Sequence, residues 1–279
     1  MPPHVYFVVS AVFHYLGPSF AVLLFARVEV LGVAWLRIAS AALIFAFWRR
    51  PWSAFAALDR DGRSLLLAWG CVLALMNCCF YLAISRQPLA TVAAIEFLPV
   101  VGLAALGART PRNLAALALA VLGVYLVTGV QIALEPLGVT FAFANAVLFA
   151  LYIVLAHRAA QGAGVDALGM AMLVAAVVVT PLAGWAALPA FGDPVALLAG
   201  IGVGISYSVI PYVFDQLAMA RLPRATYALL VSLLPATAAV IGVVVLGQVP
   251  SPQETAGVML VIAGVALHRA PAPEPVPAG

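Results

Sequence analysis

Long apolar stretches, separated by short polar or proline-containing segments, recur along the whole chain. A helix needs about 20 mostly apolar residues to cross a lipid bilayer. The connections are mostly short, so consecutive helices are expected to be antiparallel neighbours. The pattern predicts an all-α integral membrane protein with ten transmembrane helices, near residues 4–25, 30–48, 65–84, 88–107, 113–130, 138–157, 167–189, 195–219, 225–247 and 252–268.

Composition places this chain in a lipid environment. Hydrophobic residues make up 66% of it and charged residues 8%, with a mean hydropathy of +1.15, whereas soluble domains carry about 25% charged residues. A net charge of +3 without a basic tract gives no sign of nucleic-acid binding. Cys71, Cys78 and Cys79 share one apolar stretch without His or acidic residues at metal-ligand spacing, so we interpret them as core residues. No metal, other cofactor or cleavable signal peptide is expected.

The basic residues, all of them arginines, predict the orientation. If the N-terminus is cytoplasmic, the external loops contain only Arg27 and Arg86. The cytoplasmic segments then contain Arg49, Arg50, Arg60, Arg63, Arg109, Arg112, Arg158, Arg221, Arg224 and Arg269. Cytoplasmic loops of membrane proteins are enriched in basic residues. Both termini are therefore predicted to be cytoplasmic, in the inner membrane of a bacterium.

Two segments of the chain repeat each other. Residues 83–91 read AISRQPLAT and residues 218–226 read AMARLPRAT, and a Leu-Pro pair follows each copy. Because each half contains five helices, an odd number, the second half must enter the membrane upside down. This predicts two inverted repeats, residues 1–137 and 138–269, followed by a Pro-rich disordered tail, residues 270–279.

Several motifs resemble a known family. They are MNCCFYLAISRQPLATVAAIEFLP (76–99), LRIASAALI (36–44) and LAMARLPRATYALLVSLLP (217–235), the last followed by VVLGQ. With them, the chain resembles the drug/metabolite transporter superfamily in its ten-helix form with two EamA-type domains. Its local sequence is most similar to the threonine/homoserine exporter branch. Two positions depart from the family pattern, since Gln248 and Leu234 stand where members often carry glutamate, and this weakens any transfer of substrate or ion coupling.

Three polar side chains are predicted to lie at one depth. Counting 1.5 Å per helical residue from the outer ends puts Arg37, Asn77 and Glu96 roughly 10–12 Å below the outer surface. Charges inside a membrane are costly and mark candidate functional sites. One interpretation is an amphoteric pocket, with Arg37 binding a carboxylate and Glu96 binding an amine or a proton. The alternatives are a structural Arg37–Glu96 ion pair, or an Arg37 that extends to the outer surface.

Other polar residues within the spans are further candidates for substrate binding or proton coupling. His14 lies in mid-span and titrates near neutrality, and Tyr81 shares a helix face with Asn77, as Tyr152 does with Asn145. Each of these also has a structural interpretation, as a hydrogen-bonded core residue or as a contact between helices. Asp215 lies near the cytoplasmic end of its span, where interfacial pairing is the simpler interpretation.

Three prolines are candidates for kinks that serve a gate. Pro99 and Pro235 lie near the middle of their spans, and Pro211 shares a stripe with Tyr207 and Asp215. A proline within a helix frees a carbonyl and bends the span. Tolerated distortion without a function is the alternative interpretation.

The sequence favours a secondary transporter that exports a small metabolite, such as an amino acid, against protons by alternating access. No catalytic motif is present, and no lysine is available for a Schiff base. The competing hypotheses are an intramembrane enzyme that modifies lipids, for which no buried nucleophile is found, and a membrane scaffold. The predicted partners are the lipid bilayer, the solute and protons, and a homodimer is one of the oligomeric states that the sequence allows.

Overall fold

The computed structural model describes residues 3–107, 110–160, 164–211, 213–214 and 234–267, and in these ranges the chain is helical, without strands. Eleven α-helices lie within them. They are α1 (Pro3–Leu24), α2 (Val30–Arg49), α3 (Trp52–Ala57), α4 (Arg60–Ile84), α5 (Leu89–Gly107), α6 (Pro111–Leu134), α7 (Pro136–Ala160), α8 (Gly164–Ala187), α9 (Pro194–Gly204), α10 (Leu234–Leu246) and α11 (Pro252–Leu267).

Five of the described segments are long and apolar enough to cross a membrane. They are Val5–Leu24, Val30–Arg49, Arg60–Ile84, Pro136–Leu155 and Asp166–Gly192. Five shorter apolar helices accompany them, namely Leu89–Pro99, Pro111–Leu126, Pro194–Val209, Ala236–Leu246 and Pro252–Leu267. The prediction of an all-α membrane protein is therefore confirmed.

The longest predicted link between spans, residues 49–64, contains helical structure that the apolar pattern did not indicate. A short helix, α3, lies in it, and α4 begins at Arg60 rather than near residue 65. The Asp59 side chain caps α4 by accepting a hydrogen bond of 2.8 Å from the Gly62 N–H. Arg63 donates to the Ala56 carbonyl at 2.7 Å and so ties α3 to α4. The polar first turn of α4 is thus stabilised by its cap rather than by apolar packing.

Helices α6 and α11 begin alike. In α6, Thr110 accepts a hydrogen bond of 3.2 Å from the Asn113 N–H, with Pro111 between them. In α11, Ser251 accepts one of 3.2 Å from the Glu254 N–H, and the Glu254 side chain accepts one of 2.7 Å from the Ser251 N–H. Proline suits the first position of a helix because its missing N–H would have no partner there.

The interface between α6 and α11 is reciprocal. A Cβ atom at Gly123 would lie 2.5 Å from the Gly257 carbonyl oxygen, and one at Gly264 would lie 2.7 Å from the Ala116 carbonyl oxygen. Only glycine permits the two backbones to approach this closely. Gly123 corresponds to Gly264 and Ala116 to Gly257, with the same offset of 141 residues.

Hydrogen bonds at the two ends of this interface follow the same offset. Arg112 Nε donates to the Leu267 carbonyl at 2.5 Å, and Gln253 Nε2 donates to the Leu126 carbonyl at 3.1 Å. In each case the second residue of one helix binds a late carbonyl of the other. The Leu267 carbonyl lies in the last turn of α11, where the helix leaves carbonyls without backbone partners.

Helices α2 and α8 are joined at both ends and in the middle. Arg27, before α2, pairs with Asp193, after α8, at 3.1 Å. At the opposite ends Arg49 pairs with Asp166 at 2.8 Å. Between them Trp35 Nε1 donates to Thr180 Oγ1 at 2.8 Å. The two helices therefore run antiparallel.

Two apolar cores adjoin along α2 and α4. Leu36 and Phe80 belong to the first core, and Ile38 and Met76 to the second. Arg37 and Asn77 stand between these residues in the sequence, so the polar side chains of α2 and α4 lie where the cores meet.

Candidate functional site

The Arg37 guanidinium is held by two other helical segments, α4 and the turn after α9. Arg37 Nη1 donates to Asn77 Oδ1 of α4, and Arg37 Nε donates to Ser208 Oγ at 3.0 Å. The Tyr207 ring covers the guanidinium, with its centroid 3.6 Å from Cζ, and the Tyr81 ring lies 5.9 Å from Cζ. The cation thus has two hydrogen-bond acceptors and an aromatic face, which compensate in part for the loss of water.

Two of the alternatives for Arg37 are not what the structure has. Its exposed fraction is 3%, and its bonds run to α4 and to residues after α9, so it does not extend to the outer surface. Nor does an ion pair within 4.0 Å join it to Glu96. Arg37 retains hydrogen-bonding capacity, because two of its five N–H donors are used by the residues that the structure describes.

Glu96 lies on α5 beside an amide from α7. Asn145 Nδ2 donates to Glu96 Oε1 at 3.0 Å. The Asn145 side chain is fully buried, and its Oδ1 has no hydrogen-bond donor among the residues that the structure describes. Glu96 itself is partly accessible, although it lies well inside its helix. A carboxylate and an amide oxygen side by side form a site for a cationic N–H group.

His14 joins this region from α1. Its ring packs edge-on against Tyr207, with centroids 6.3 Å apart. Ser10 Oγ lies 3.4 Å from His14 Nδ1 and donates to the Pro211 carbonyl at 3.3 Å. Ser10 and His14 lie one turn apart on α1, and the Ser10 hydroxyl connects this helix to the segment after α9.

The remaining predicted site residues are distributed elsewhere. Tyr152 packs against Trp69 and Phe149, with ring centroids 5.7 and 6.2 Å apart, in the second apolar core. Asp215 lies outside the described residues, as do the second copy of the repeated segment and the tail. Pro99 lies inside α5, and the backbone of Pro235 lies at the start of α10.

Sequence reasoning missed Ser208 and gave Tyr207 no role of its own. After Gly204 the helix changes to a π-helical turn, Ile205–Val209, which presents both residues to Arg37. A proline four residues after Tyr207 was the available signal, since Pro211 has no N–H to donate to the Tyr207 carbonyl. π-helical turns are rare and occur frequently at functional sites.

An apolar cavity of about 350 Å³ lies apart from these polar groups, between α5, α10 and α11. Two of its polar lining residues, Gln248 and Glu254, already bind the backbone at helix starts. Gln248 Oε1, at a position where the sequence departs from the family pattern, accepts a hydrogen bond of 3.0 Å from the Leu89 N–H. Among the described residues no group of three His, Cys, Asp or Glu side chains could hold a metal ion.

Comparison with known proteins places the chain in a family. Residues 136–269 match the EamA-like transporter family. The threonine/homoserine exporter RhtA of Escherichia coli strain K12 is 32% identical over 250 residues, which cover 88% of this chain and 84% of that exporter. The chain belongs to the EamA-like transporter family. RhtA of Salmonella typhimurium strain LT2 is also 32% identical, over 235 residues, which cover 83% of this chain and 79% of that exporter.

Membership in the EamA-like family rules out the enzyme hypothesis, because the family and the relatives are transporters. A solved crystal structure covers 95% of this EamA-like transporter and 96% of its own chain, with a TM-score of 0.59 and 17% sequence identity. That likeness concerns the fold alone. The predicted resemblance to the EamA-type transporters, and within them to the threonine/homoserine exporters, is thereby confirmed.

Proposed function

We propose that this protein exports small amino acids, of the size of threonine or homoserine, across the bacterial inner membrane against an inward flow of protons. The observation that carries the proposal is the pair Arg37 and Glu96. The guanidinium and the carboxyl group form no ion pair within 4.0 Å, and each is bound to an amide side chain. The names of the RhtA relatives supply the substrate class.

The carboxylate of an amino acid would bind Arg37. Both N–H groups of Nη2 and one of Nη1 have no hydrogen-bond partner among the described residues, and guanidinium groups bind carboxylates through parallel N–H donors on two nitrogens. Asn77 and Ser208 would keep the guanidinium in place while the substrate enters and leaves. The hydroxyl of Tyr81, buried near Arg37, adds a further polar group to this end of the pocket.

The amino group of the same substrate would bind Glu96 and the free Oδ1 of Asn145. Since the ammonium group and a proton compete for the same carboxylate, Glu96 would exchange one for the other during the cycle. A ligand shifts a conformational equilibrium only by its difference in affinity for the two states. Glu96 would provide that difference, with its proton favouring one orientation and the substrate the other.

The proposed architecture is ten spans in two inverted repeats, residues 1–137 and 138–269. The reciprocal contacts of α6 and α11 support it. So do the packing pairs of the helices, because α4 contacts α7 as α1 contacts α9, and α4 contacts α8 as α2 contacts α9. In the proposed repeat α7 is the counterpart of α1, α8 of α2 and α9 of α4. Exchanging each helix for its counterpart turns the contact of α4 with α7 into that of α9 with α1. It likewise turns the contact of α4 with α8 into that of α9 with α2. Repeats of this kind allow alternating access around a fixed site.

Both termini would be cytoplasmic. Contacts between the links support the alternation of sides, since Arg27 pairs with Asp193 and Arg86 with Glu135, all at the end that this topology places outside. A C-terminal fusion to alkaline phosphatase should be inactive, and one to a fluorescent protein should be bright. The reverse result would overturn both the orientation and the inverted repeat.

Transport in reconstituted vesicles tests the proposed function. With a pH gradient imposed, the wild-type protein should accumulate L-threonine or L-homoserine against its gradient. Glu96→Gln should insert normally but lose proton-driven accumulation, and Arg37→Ala should mainly impair recognition of the carboxylate. Glu135→Gln is the matched control, because Glu135 lies in a link and is partly exposed. If Glu96→Gln accumulates substrate at the wild-type rate, the coupling group must be sought at His14 or Asp215.

A further inference from the structure

The π-helical turn after α9 brings two consecutive residues to one guanidinium. Within Ile205–Val209 the Ile210 N–H bonds the Ile205 carbonyl, five residues back. Pro211 cannot complete an ordinary helical turn with the Tyr207 carbonyl, because it has no N–H. The turn therefore contains one residue more than an α-helical turn, and both Tyr207 and Ser208 contact Arg37.

Close packing holds this turn against its neighbours. A Cβ atom at Gly204 would lie 1.9 Å from Ser40 Oγ and 2.9 Å from the Arg37 carbonyl oxygen, so α9 touches α2 just before the turn. A Cβ atom at Gly17 of α1 would lie 2.6 Å from the Tyr207 Cβ. The position of Tyr207 is thus determined by backbone contacts on two sides.

The contacts of Arg37 define which part of its guanidinium is available. Ser208 accepts from Nε, Asn77 accepts from Nη1, and the Tyr207 ring covers one face. Both N–H groups of Nη2 and one of Nη1 have no hydrogen-bond partner among the described residues. A planar carboxylate can accept one hydrogen bond from each of these two nitrogens in parallel, whereas a neutral amide presents only one oxygen and gains less from the charge.

We propose that Tyr207 and Ser208 determine the specificity of this transporter for substrates with a free carboxylate, by fixing Arg37 so that N–H donors of Nη1 and Nη2 are left for the substrate. Pro211 acts as a positioning residue through the π-helical turn. This inference rests on the proposed function and adds the chemical class of the substrate group that the turn selects. Neither side chain need touch the substrate, since both act through the orientation of Arg37.

The test compares carboxylates with their amides on the full-length protein. Thermal stabilisation in detergent by L-threonine and L-homoserine, and by the corresponding amides, reports binding, and vesicle transport of the two amino acids reports function. Ser208→Ala should reduce the preference for carboxylate over amide roughly tenfold, as expected for the loss of one hydrogen bond to a charged group. Tyr207→Leu should reduce it similarly, and Tyr207→Phe, which retains the ring, should restore it.

The matched control is Ser206→Ala. Ser206 lies on the same turn but donates to the Val203 carbonyl at 3.3 Å, so its removal should leave the preference unchanged. Ser208→Thr retains the hydroxyl and should behave as the wild type, which separates loss of the hydrogen bond from loss of folding. A KM that rises for the amino acid while kcat is retained is expected for Ser208→Ala.

The outcomes separate this inference from the proposed function. If the wild-type protein binds and transports the amino acids, and Ser208→Ala and Tyr207→Leu keep its preference, the inference is wrong and the proposed function stands. If the wild-type protein binds carboxylates in preference to amides but transports neither amino acid, the proposed function is wrong. A wild-type protein that shows no preference for carboxylates overturns the inference.

Discussion

Helix pairs α6/α11 and α2/α8 each join one helix from the first half of the chain to one from the second, but only α6/α11 has matching chemistry on its two sides. At α6/α11, glycines, helix caps and end hydrogen bonds recur at a constant offset of 141 residues. At α2/α8 the arginines come from the first half and the aspartates from the second.

The centre of the α2/α8 pair differs most. The ion pairs align Arg37 with the stretch 176–181 of α8, which reads Ala-Val-Val-Val-Thr-Pro and has no charge. No charged residue of α8 stands opposite Arg37 in this antiparallel pair. In the repeat that we propose, matching chemistry is retained where two helices only pack against each other, and is lost where a single asymmetric substrate would bind.

The largest expected effect concerns the reciprocal glycines. Gly123→Ala and Gly264→Ala each place a methyl group against a carbonyl oxygen, at 2.5 and 2.7 Å. Because backbone must shift to accommodate it, we expect each to destabilise the protein by about 1–3 kcal/mol, as overpacking does. Thermal unfolding in detergent measures this.

The control for the glycine pair is Gly202→Ala. A Cβ atom at Gly202 has nothing within 4 Å, so the same substitution should be nearly neutral there. Equal costs at Gly123 and Gly264 would support the reciprocal interface. If either Gly123→Ala or Gly264→Ala is as nearly neutral as Gly202→Ala, the two sides of the α6/α11 interface are not equivalent.

The bonds at the ends of α6 and α11 should give a smaller effect. Arg112→Ala and Gln253→Ala each remove one hydrogen bond to a backbone carbonyl of the other helix. A hydrogen bond of this kind contributes about 0.5–1.5 kcal/mol net. Arg112→Gln carries over the residue found at the equivalent position and should recover part of the loss, as judged by the same unfolding measurement. A loss confined to one of the two alanine variants would contradict their equivalence.

The sequence predicted the helices better than it predicted the contacts between their polar side chains. The apolar stretches predict the helices, because burial in lipid depends on composition over about 20 residues. Isolated polar residues in those stretches drew attention to Arg37, Asn77, Glu96 and Asn145. Their partners were less predictable, since a bond such as that of Arg37 with Ser208 joins residues 171 positions apart and depends on the local π-helical turn.

The reciprocal interface shows a different limit. The sequence comparison found residues 83–91 repeated at 218–226, but the second copy lies outside the described residues. The repeat that the structure does describe, Thr110-Pro111 and Gly123 against Ser251-Pro252 and Gly264, consists of few identical residues widely spaced. These positions can be recognised as a repeat only from the structure, which shows that the glycines lie against backbone and that Thr110 and Ser251 cap their helices.

The ion pairs of α2/α8 should have smaller effects than the packing of α6/α11. Arg49 and Asp166 are 41% and 31% exposed, and exposed ion pairs contribute about 0.2–1 kcal/mol. Arg49→Asp alone should destabilise the protein slightly, and the exchange Arg49→Asp with Asp166→Arg should restore most of the loss. High salt should reduce the difference, because it screens exposed charges. A coupling energy between Arg49 and Asp166 as large as the destabilisation by Gly123→Ala would show that this ion pair contributes more than exposed ion pairs usually do.

The smallest expected effect is a pH dependence at the opposite end of the same pair. Hydrogen bonds from the Ala196 and Val195 N–H groups, together with Arg27, hold the pKa of Asp193 below its usual value, and the bond from Ala196 is the largest cause. Since the pKa is lower in the folded protein, Asp193 stabilises the fold above its unfolded pKa, about 3.9. That contribution is lost as the pH falls through the folded pKa.

Asp193→Asn keeps a residue suited to capping α9 but removes the charge. The difference in melting temperature between the wild type and Asp193→Asn should therefore shrink on acidification below about pH 4, whereas other carboxylates titrate in both proteins and cancel. A difference that is constant or grows with acid would mean that the charge of Asp193, with its partners Ala196 and Arg27, does not stabilise the fold.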